Sequence, residues 1–363
     1  MRILYFGSFN PDYARNRVLL RGLRLNGIEV EECSDRSGSW LKYWRLFWKY
    51  LKLKSKFDII IVGFPGQEMM FFARLLTLQI FSWQARKPIV FDAFTSHYGG
   101  YILDRQYFNK NSLRAKYYRF IDKYSCHLAD VVLLDTQAHI DFFVKEYGLS
   151  VSKFRRIFVG TDTDVFYPSN PKPNSDDFFT VHFHGSYVPL QGVSYIIRAA
   201  KILENEKIKF NLIGRGQTYS SDKKLAEDLN IKNIDFIDNV AYNKLPEFMG
   251  RADIALGIFG NSPKTQLVVP NKIYEALAMA KPIITADTPA AKELLTDQEN
   301  VLLCRDSSAE DLAQKILELK NDQNLRSKIA ENGYQTFKLK ASEKVLGVEL
   351  VNILNYLDES RTK

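Results

Sequence analysis

The sequence predicts an α/β protein built from two successive, doubly wound parallel-sheet domains facing a cleft. Three observations carry this. The order strand, loop, helix opens the chain at residues 2–6, 7–11 and 15–25, and it opens again at 178–184, 185–192 and 193–203; such repeats build parallel sheets with ligand loops at their C-terminal edge. Residues 168–177, PSNPKPNSDD, are proline-rich and polar, as an interdomain linker is. A chain of 363 residues is also long enough for two cores. The expected division is 1–168, 169–345, and a C-terminal helix, 346–363, packing back on the first domain.

In the first domain, RILYF reads as a buried strand and Arg15 to Leu25 as a helix closed by Asn26-Gly27. Residues 58–62 and 88–92 are the next strands, separated by an apolar helix within Met69 to Trp83, a window too short to cross a bilayer. Residues 113–124 form a basic, tyrosine-rich helix, 129–134 a strand, 136–148 a helix, and 156–160 a further strand. The second domain continues with strands at 209–213, 235–237, 253–256, 282–286 and 301–303 and a short helix at 245–249. Between the fourth and fifth of its strands, Pro270 fits the first turn of a helix running from Asn271 to Ala280, ended by Lys281-Pro282.

Composition narrows the function. Hydrophobic content of 46% and charged content of 25% belong to a soluble globular protein. The net charge of +8 is uneven: residues 1–168 carry 25 Lys and Arg against 16 Asp and Glu, and the remainder 25 against 26. The basic half points to a surface that meets anions. Cys33, Cys126 and Cys304 are isolated, which disfavours both a disulfide framework and a structural zinc site and fits a reducing compartment. MRILYFGSFNP enters a strand with no charged leader or cleavage site, so a cytoplasmic location is expected. The absence of G-x-G-x-x-G disfavours a dinucleotide-binding dehydrogenase. Nucleic-acid binding is disfavoured too, because no recognised module accompanies the basic residues.

Residues 40–56, WLKYWRLFWKYLKLKSK, hold three of the four tryptophans. As a helix they place Trp40, Trp44, Phe47, Trp48 and Leu51 on one stripe, Tyr43, Leu46, Tyr50 and Leu53 on another, and Lys42, Arg45, Lys49, Lys52 and Lys56 beside them. One apolar strip can pack on the sheet while the tryptophans and cations meet an anionic membrane. The expected contact residues are Trp40, Lys42, Trp44, Arg45, Trp48, Lys49 and Lys52; the competing reading is a packed helix with solvated lysines.

Two regions carry the chemistry. A helix start near Pro270 presents spare N–H groups and a partial positive charge that suit a diphosphate, and Glu275, one turn in, suits ribose hydroxyls; the competing reading is an ordinary α/β turn with a solvated glutamate. In the first domain, Asp92 and His97 lie at the C-terminal end of a strand, where catalytic loops collect, and either is a candidate catalytic group. The loop with Gly7, Ser8 and Asn10 occupies the same edge and is assigned to the acceptor.

Taken together, ADVVLLDTQ (129–137), RRIFVGTDTDVFYP (155–168), HGSYVPLQGVSYIIRAAKIL (184–203) and PNKIYEALAMAKPIITAD (270–287) resemble, in order and spacing, the GT-B glycosyltransferases, specifically family 4. That resemblance implies two Rossmann-like domains and transfer of a sugar from a nucleotide-sugar donor to a glycan acceptor with retention and without a metal. It implies ribose binding by Glu275. The family's other glutamate is replaced by Leu267, its loop lysine by Gln191, and its loop arginine around Ser186. Arg215, Lys264 and Lys272 are the candidate replacements for the missing cations. The expected donor set is Gly185, Ser186, Gln191, Arg215, Val240, Lys264, Val269, Pro270, Asn271, Lys272 and Glu275. The whole reads as a cytoplasmic transferase on the inner face of the membrane, extending a lipid-linked precursor of a cell-surface polysaccharide. The alternative is a non-catalytic glycan- or nucleotide-binding GT-B protein.

Overall fold

A computed structural model describes residues 1–78, 86–169 and 177–362. The chain divides into two compact units: residues 1–102, 107–160 and 342–363 in one, 103–106 and 161–341 in the other. The change of unit thus falls at Gly160/Thr161 rather than 168/169, and the C-terminal segment returning to the first unit begins at Ser342 rather than 346. Most of the expected linker, 170–176, lies outside the described residues.

In the first unit, strands β1 (Arg2–Gly7), β2 (Glu29–Ser34), β3 (Ile59–Val62), β4 (Ile89–Phe94), β5 (Val131–Leu134) and β6 (Phe154–Arg156) form a parallel sheet in the order β2-β1-β3-β4-β5-β6. β3 and β5 are buried along their whole length, as strands covered on both faces must be. Helices α1 (Ala14–Leu25), α2 (Leu41–Leu53), α3 (Gln67–Leu76), α4 (Leu113–Leu128) and α5 (Gln137–Tyr147) belong to this unit, and the C-terminal α13 (Glu343–Thr362) packs along α1. The apolar window at 69–83 forms part of α3, and its residues 79–83 lie outside the described ones. Among the described residues no helix is long and apolar enough to cross a membrane.

The second unit repeats the plan. Strands β7 (Phe179–His184), β8 (Ile208–Ile213), β9 (Ile234–Ile237), β10 (Ile254–Leu256), β11 (Ile283–Ala286) and β12 (Leu302–Cys304) lie parallel in the order β12-β11-β10-β7-β8-β9. Helices α6 (Val193–Ile202), α7 (Tyr219–Asp228), α8 (Leu245–Arg251), α9 (Asn271–Ala278), α10 (Pro289–Lys292), α11 (Ala309–Asn321) and α12 (Gln323–Lys340) accompany them. The strand order reverses between β7 and β10, which is where open α/β sheets gather ligands.

Three elements depart from expectation. β2 was not foreseen: its sequence, EVEECS, buries only Cys33, as an edge strand can, and so carries no apolar alternation. The strand expected at 156–160 ends at Arg156, because the carbonyls of Ile157 and Phe158 turn to the Arg15 guanidinium. Pro270 precedes α9 as its extended N-cap residue instead of lying in its first turn, and α9 ends at Ala278.

Candidate functional site

In the second unit the loop after β7 and the start of α9 come together at the strand-order reversal. Gly185 has φ +151°, a conformation that strains any other residue, and a Cβ there would meet Lys272 Nζ at 2.9 Å. Lys272, in the first turn of α9, is buried; its ammonium donates to Gln191 Oε1 and lies 3.7 Å from the Phe183 ring centre. Burial pushes its pKa well below that of an ordinary lysine, with Glu275 acting in the opposite sense.

Glu275 sits one turn further along α9, 3% exposed, and His184 Nε2 lies 2.7 Å from its Oε2. His184 Nδ1 in turn lies 2.9 Å from His182 Nε2. Burial, followed by the neighbouring His184 and Lys272, drives the His182 pKa well below the usual histidine value, so this ring is neutral. The sequence reading missed both histidines. The available signal was the period of two in FTVHFH, which turns 182 and 184 to one face of β7.

Of the expected donor set, Gly185, Gln191, Lys272 and Glu275 form this cluster, and Pro270 and Asn271 stand at the helix start with Val269 buried just before it. Gln191 thus accepts from Lys272 on the facing helix. Ser186 is exposed in the loop. Arg215 follows β8, but its guanidinium pairs with Asp238 and lies 4.0 Å over the Tyr219 ring centre. Lys264 is half-buried on the one-turn helix Pro263–Gln266, and Val240 is half-buried in the loop after β9. Leu267 caps that one-turn helix and offers no carboxylate.

The first unit separates its two candidate catalytic residues. Asp92 is fully buried, and its carboxylate accepts from Arg15 Nε at 3.0 Å and Nη2 at 2.9 Å. Burial works against the Arg15 charge, yet the facing carboxylate outweighs it and raises the Arg15 pKa. Arg15 Nη1 donates to the Ile157 and Phe158 carbonyls at 2.7 and 2.9 Å. Asp92 is therefore corrected from catalytic candidate to half of an internal clamp joining α1, β4 and the segment after β6.

His97 is partly exposed and lines an open cavity of about 230 Å³ together with Ser8, Lys42, Gln67, Glu68 and Met69. Beneath it Asp122 is buried, with Oδ1 3.7 Å from His97 Nδ1. Asp122 also accepts from the His97 and Tyr98 amides at 3.1 and 2.9 Å, from Ser96 Oγ at 2.7 Å and from the Tyr147 hydroxyl at 3.0 Å. Burial raises its pKa, while His97 and these donors oppose the rise. Of the acceptor loop, Ser8 reaches the cavity; Gly7 ends β1, and Asn10 turns its side chain back to the Asp12 amide.

On α2, Leu46 and Tyr50 are buried and Tyr43, Phe47, Leu51 and Leu53 pack against the core, while Trp40, Trp44 and Trp48 are 77%, 58% and 47% exposed. The expected tryptophan stripe thus splits, with Phe47 and Leu51 turned inward. Arg45 pairs with Asp35, and Lys49 donates to the Ser34 carbonyl at 2.8 Å. Lys42 stands at the cavity wall and Lys52 is exposed.

Two α/β units, each with a six-stranded parallel sheet, make the GT-B fold, and solved structures agree. HepE from Anabaena, a structure in complex with UDP, superposes with a TM-score of 0.72 at 17% identity, covering 98% of this chain and all of that one. Residues 168–336 match the family model described as glycosyl transferases group 1. Among relatives, an uncharacterized glycosyltransferase of Methanocaldococcus jannaschii is 27% identical over 67% of this chain and 64% of its own length. The N,N'-diacetylbacillosaminyl-diphospho-undecaprenol alpha-1,3-N-acetylgalactosaminyltransferase of Campylobacter jejuni is 25% identical over 53% of this chain and 48% of its own. The matches therefore span less than two thirds of either relative.

Proposed function

We propose that this protein moves a sugar from a nucleotide-sugar donor to a lipid-linked glycan acceptor, with retention at the anomeric carbon, as a step in cell-surface polysaccharide synthesis. The observation that carries the reading is the convergence of Gly185, the α9 start, Lys272 and Glu275 at one point of the second unit. A helix start and a cation suit the donor diphosphate, and a carboxylate one turn on suits its ribose. The bond from the anomeric carbon to the diphosphate oxygen breaks, and a bond to the acceptor oxygen forms on the same face. The acceptor proton passes to the departing phosphate oxygen. Lys272 and the α9 amides stabilise the charge that builds on the diphosphate, and no metal is required.

Support for a lipid-linked acceptor comes from α2. Its three exposed tryptophans and its cations suit the headgroup region of an anionic membrane, and Lys42 on the same helix stands at the cavity with Ser8 and His97. His97, oriented by Asp122, serves the acceptor hydroxyl there. On this reading the protein acts at the inner face of the membrane.

The deciding experiment incubates purified protein with a panel of nucleotide sugars and a lipid-linked acceptor and follows sugar transfer and the anomeric configuration of the product. Transfer with retention, abolished in Lys272→Met and Glu275→Ala, is the expected result. Nucleotide binding with no turnover across the panel would replace the transferase with a non-catalytic binding protein, a reading favoured by Gln191 and Leu267 at positions the family gives to charged residues.

A further inference from the structure

The two histidines of β7 lie outside the roles assigned so far, yet they are bonded in series to Glu275. His182 and His184 project from one face of β7, and Glu275 stands 91 residues further along the chain, on α9. Their hydrogen-bond order is set from the buried end. His182 Nδ1 is buried and has no hydrogen-bond partner. An orphaned N–H there would be costlier than an orphaned lone pair, so the His182 proton sits on Nε2 and is donated to His184 Nδ1. That acceptor role leaves the His184 proton on Nε2, which donates to Glu275 Oε2. Each link fixes the next, in the way that partners behind a metal-bound imidazole fix its tautomer and ring plane.

We infer that His184, held by His182, is a positioning residue that sets the Glu275 carboxylate for the ribose hydroxyls of the bound nucleotide. The inference rests on the proposed role of Glu275. The bond from His184 to Oε2 holds the carboxylate in one orientation, which leaves Oε1 turned to the ribose hydroxyls.

The test measures dissociation constants by calorimetry for UDP, ADP and GDP, each paired with its 2′-deoxy form, on the full-length protein and four variants. Wild type prefers one ribonucleotide over its deoxy form by roughly tenfold or more. Glu275→Gln abolishes that preference. His184→Phe, which cannot donate, also abolishes it, whereas His184→Gln, whose amide nitrogen replaces Nε2, retains most of it. His182→Phe weakens it by a smaller factor, and it carries the test if His184→Phe does not fold. A merely structural histidine would weaken both nucleotides of a pair equally and leave the ratio intact. Loss of preference in Glu275→Gln with full preference in His184→Phe and His182→Phe overturns this inference alone. Full preference in Glu275→Gln, or no binding of any nucleotide, overturns the ribose role and the inference with it.

Discussion

Asp92 shows how burial reassigns a side chain that sequence context had marked for chemistry. It stands in the C-terminal half of a buried strand, five residues before His97, in the setting of a catalytic acid. The structure fills that setting with Arg15, which stems from α1 and bonds both the carboxylate and two carbonyls beyond β6. Asp92→Ala leaves a buried guanidinium without its counter-charge, and the expected cost is about 3–5 kcal/mol in urea unfolding. His97→Ala is expected to leave the urea midpoint nearly unchanged while lowering turnover by roughly 10²-fold or more, because His97 faces the cavity and Asp122 keeps its other donors. The sequence marked both residues and could not rank them. Ranking needed the identity of the partner, 77 positions away in the case of Asp92.

Helices α1 and α13 cross at two glycines. A Cβ on Gly22 would meet the Glu343 carbonyl oxygen at 2.7 Å and the Gly347 Cα at 2.9 Å, and one on Gly347 would meet the Gly22 oxygen at 2.2 Å. Both approaches are to backbone, which cannot step aside as a flexible side chain can. Gly347→Ala is therefore expected to destabilise the first unit by about 1–3 kcal/mol, read as a lower urea midpoint. Helix α2 was legible from its periodicity, since Leu46 and Tyr50 turned inward as a 3.6-residue repeat requires. The tying of Arg45 to Asp35 was not legible, because it depends on the path of the chain after β2. β2 itself was missed for a related reason: an edge strand needs little apolar surface, so its sequence resembles a loop.

The excess of positive charge across the whole chain lies in residues 1–168, with 25 Lys and Arg against 16 Asp and Glu, and the exposed tryptophans of α2 lie within that half. If the proposed membrane contact is correct, binding to phosphatidylserine-containing vesicles falls steeply as salt rises from 50 to 500 mM, since screening shortens the reach of exposed charges to a few ångströms. Trp44→Ser with Trp48→Ser weakens binding at every salt concentration and shifts the melting temperature little, because about half of each side chain is exposed to water. Sedimentation of the protein with vesicles reads both effects, and binding that ignores salt and tryptophan alike removes the membrane from the proposal.

The sequence by itself determined most of the strands, the two-sheet plan and the helix that carries Lys272 and Glu275. These rest on local periodicity and on the backbone preferences of glycine and proline, which a chain displays before it folds. Only the tertiary structure decided that Lys272 stands against Gln191, that Asp92 belongs to Arg15, and that His182 and His184 stand behind Glu275. A side chain's charge, proton position and partner depend on what surrounds it in space, and here those neighbours come from residues 77, 81 and 91 positions away.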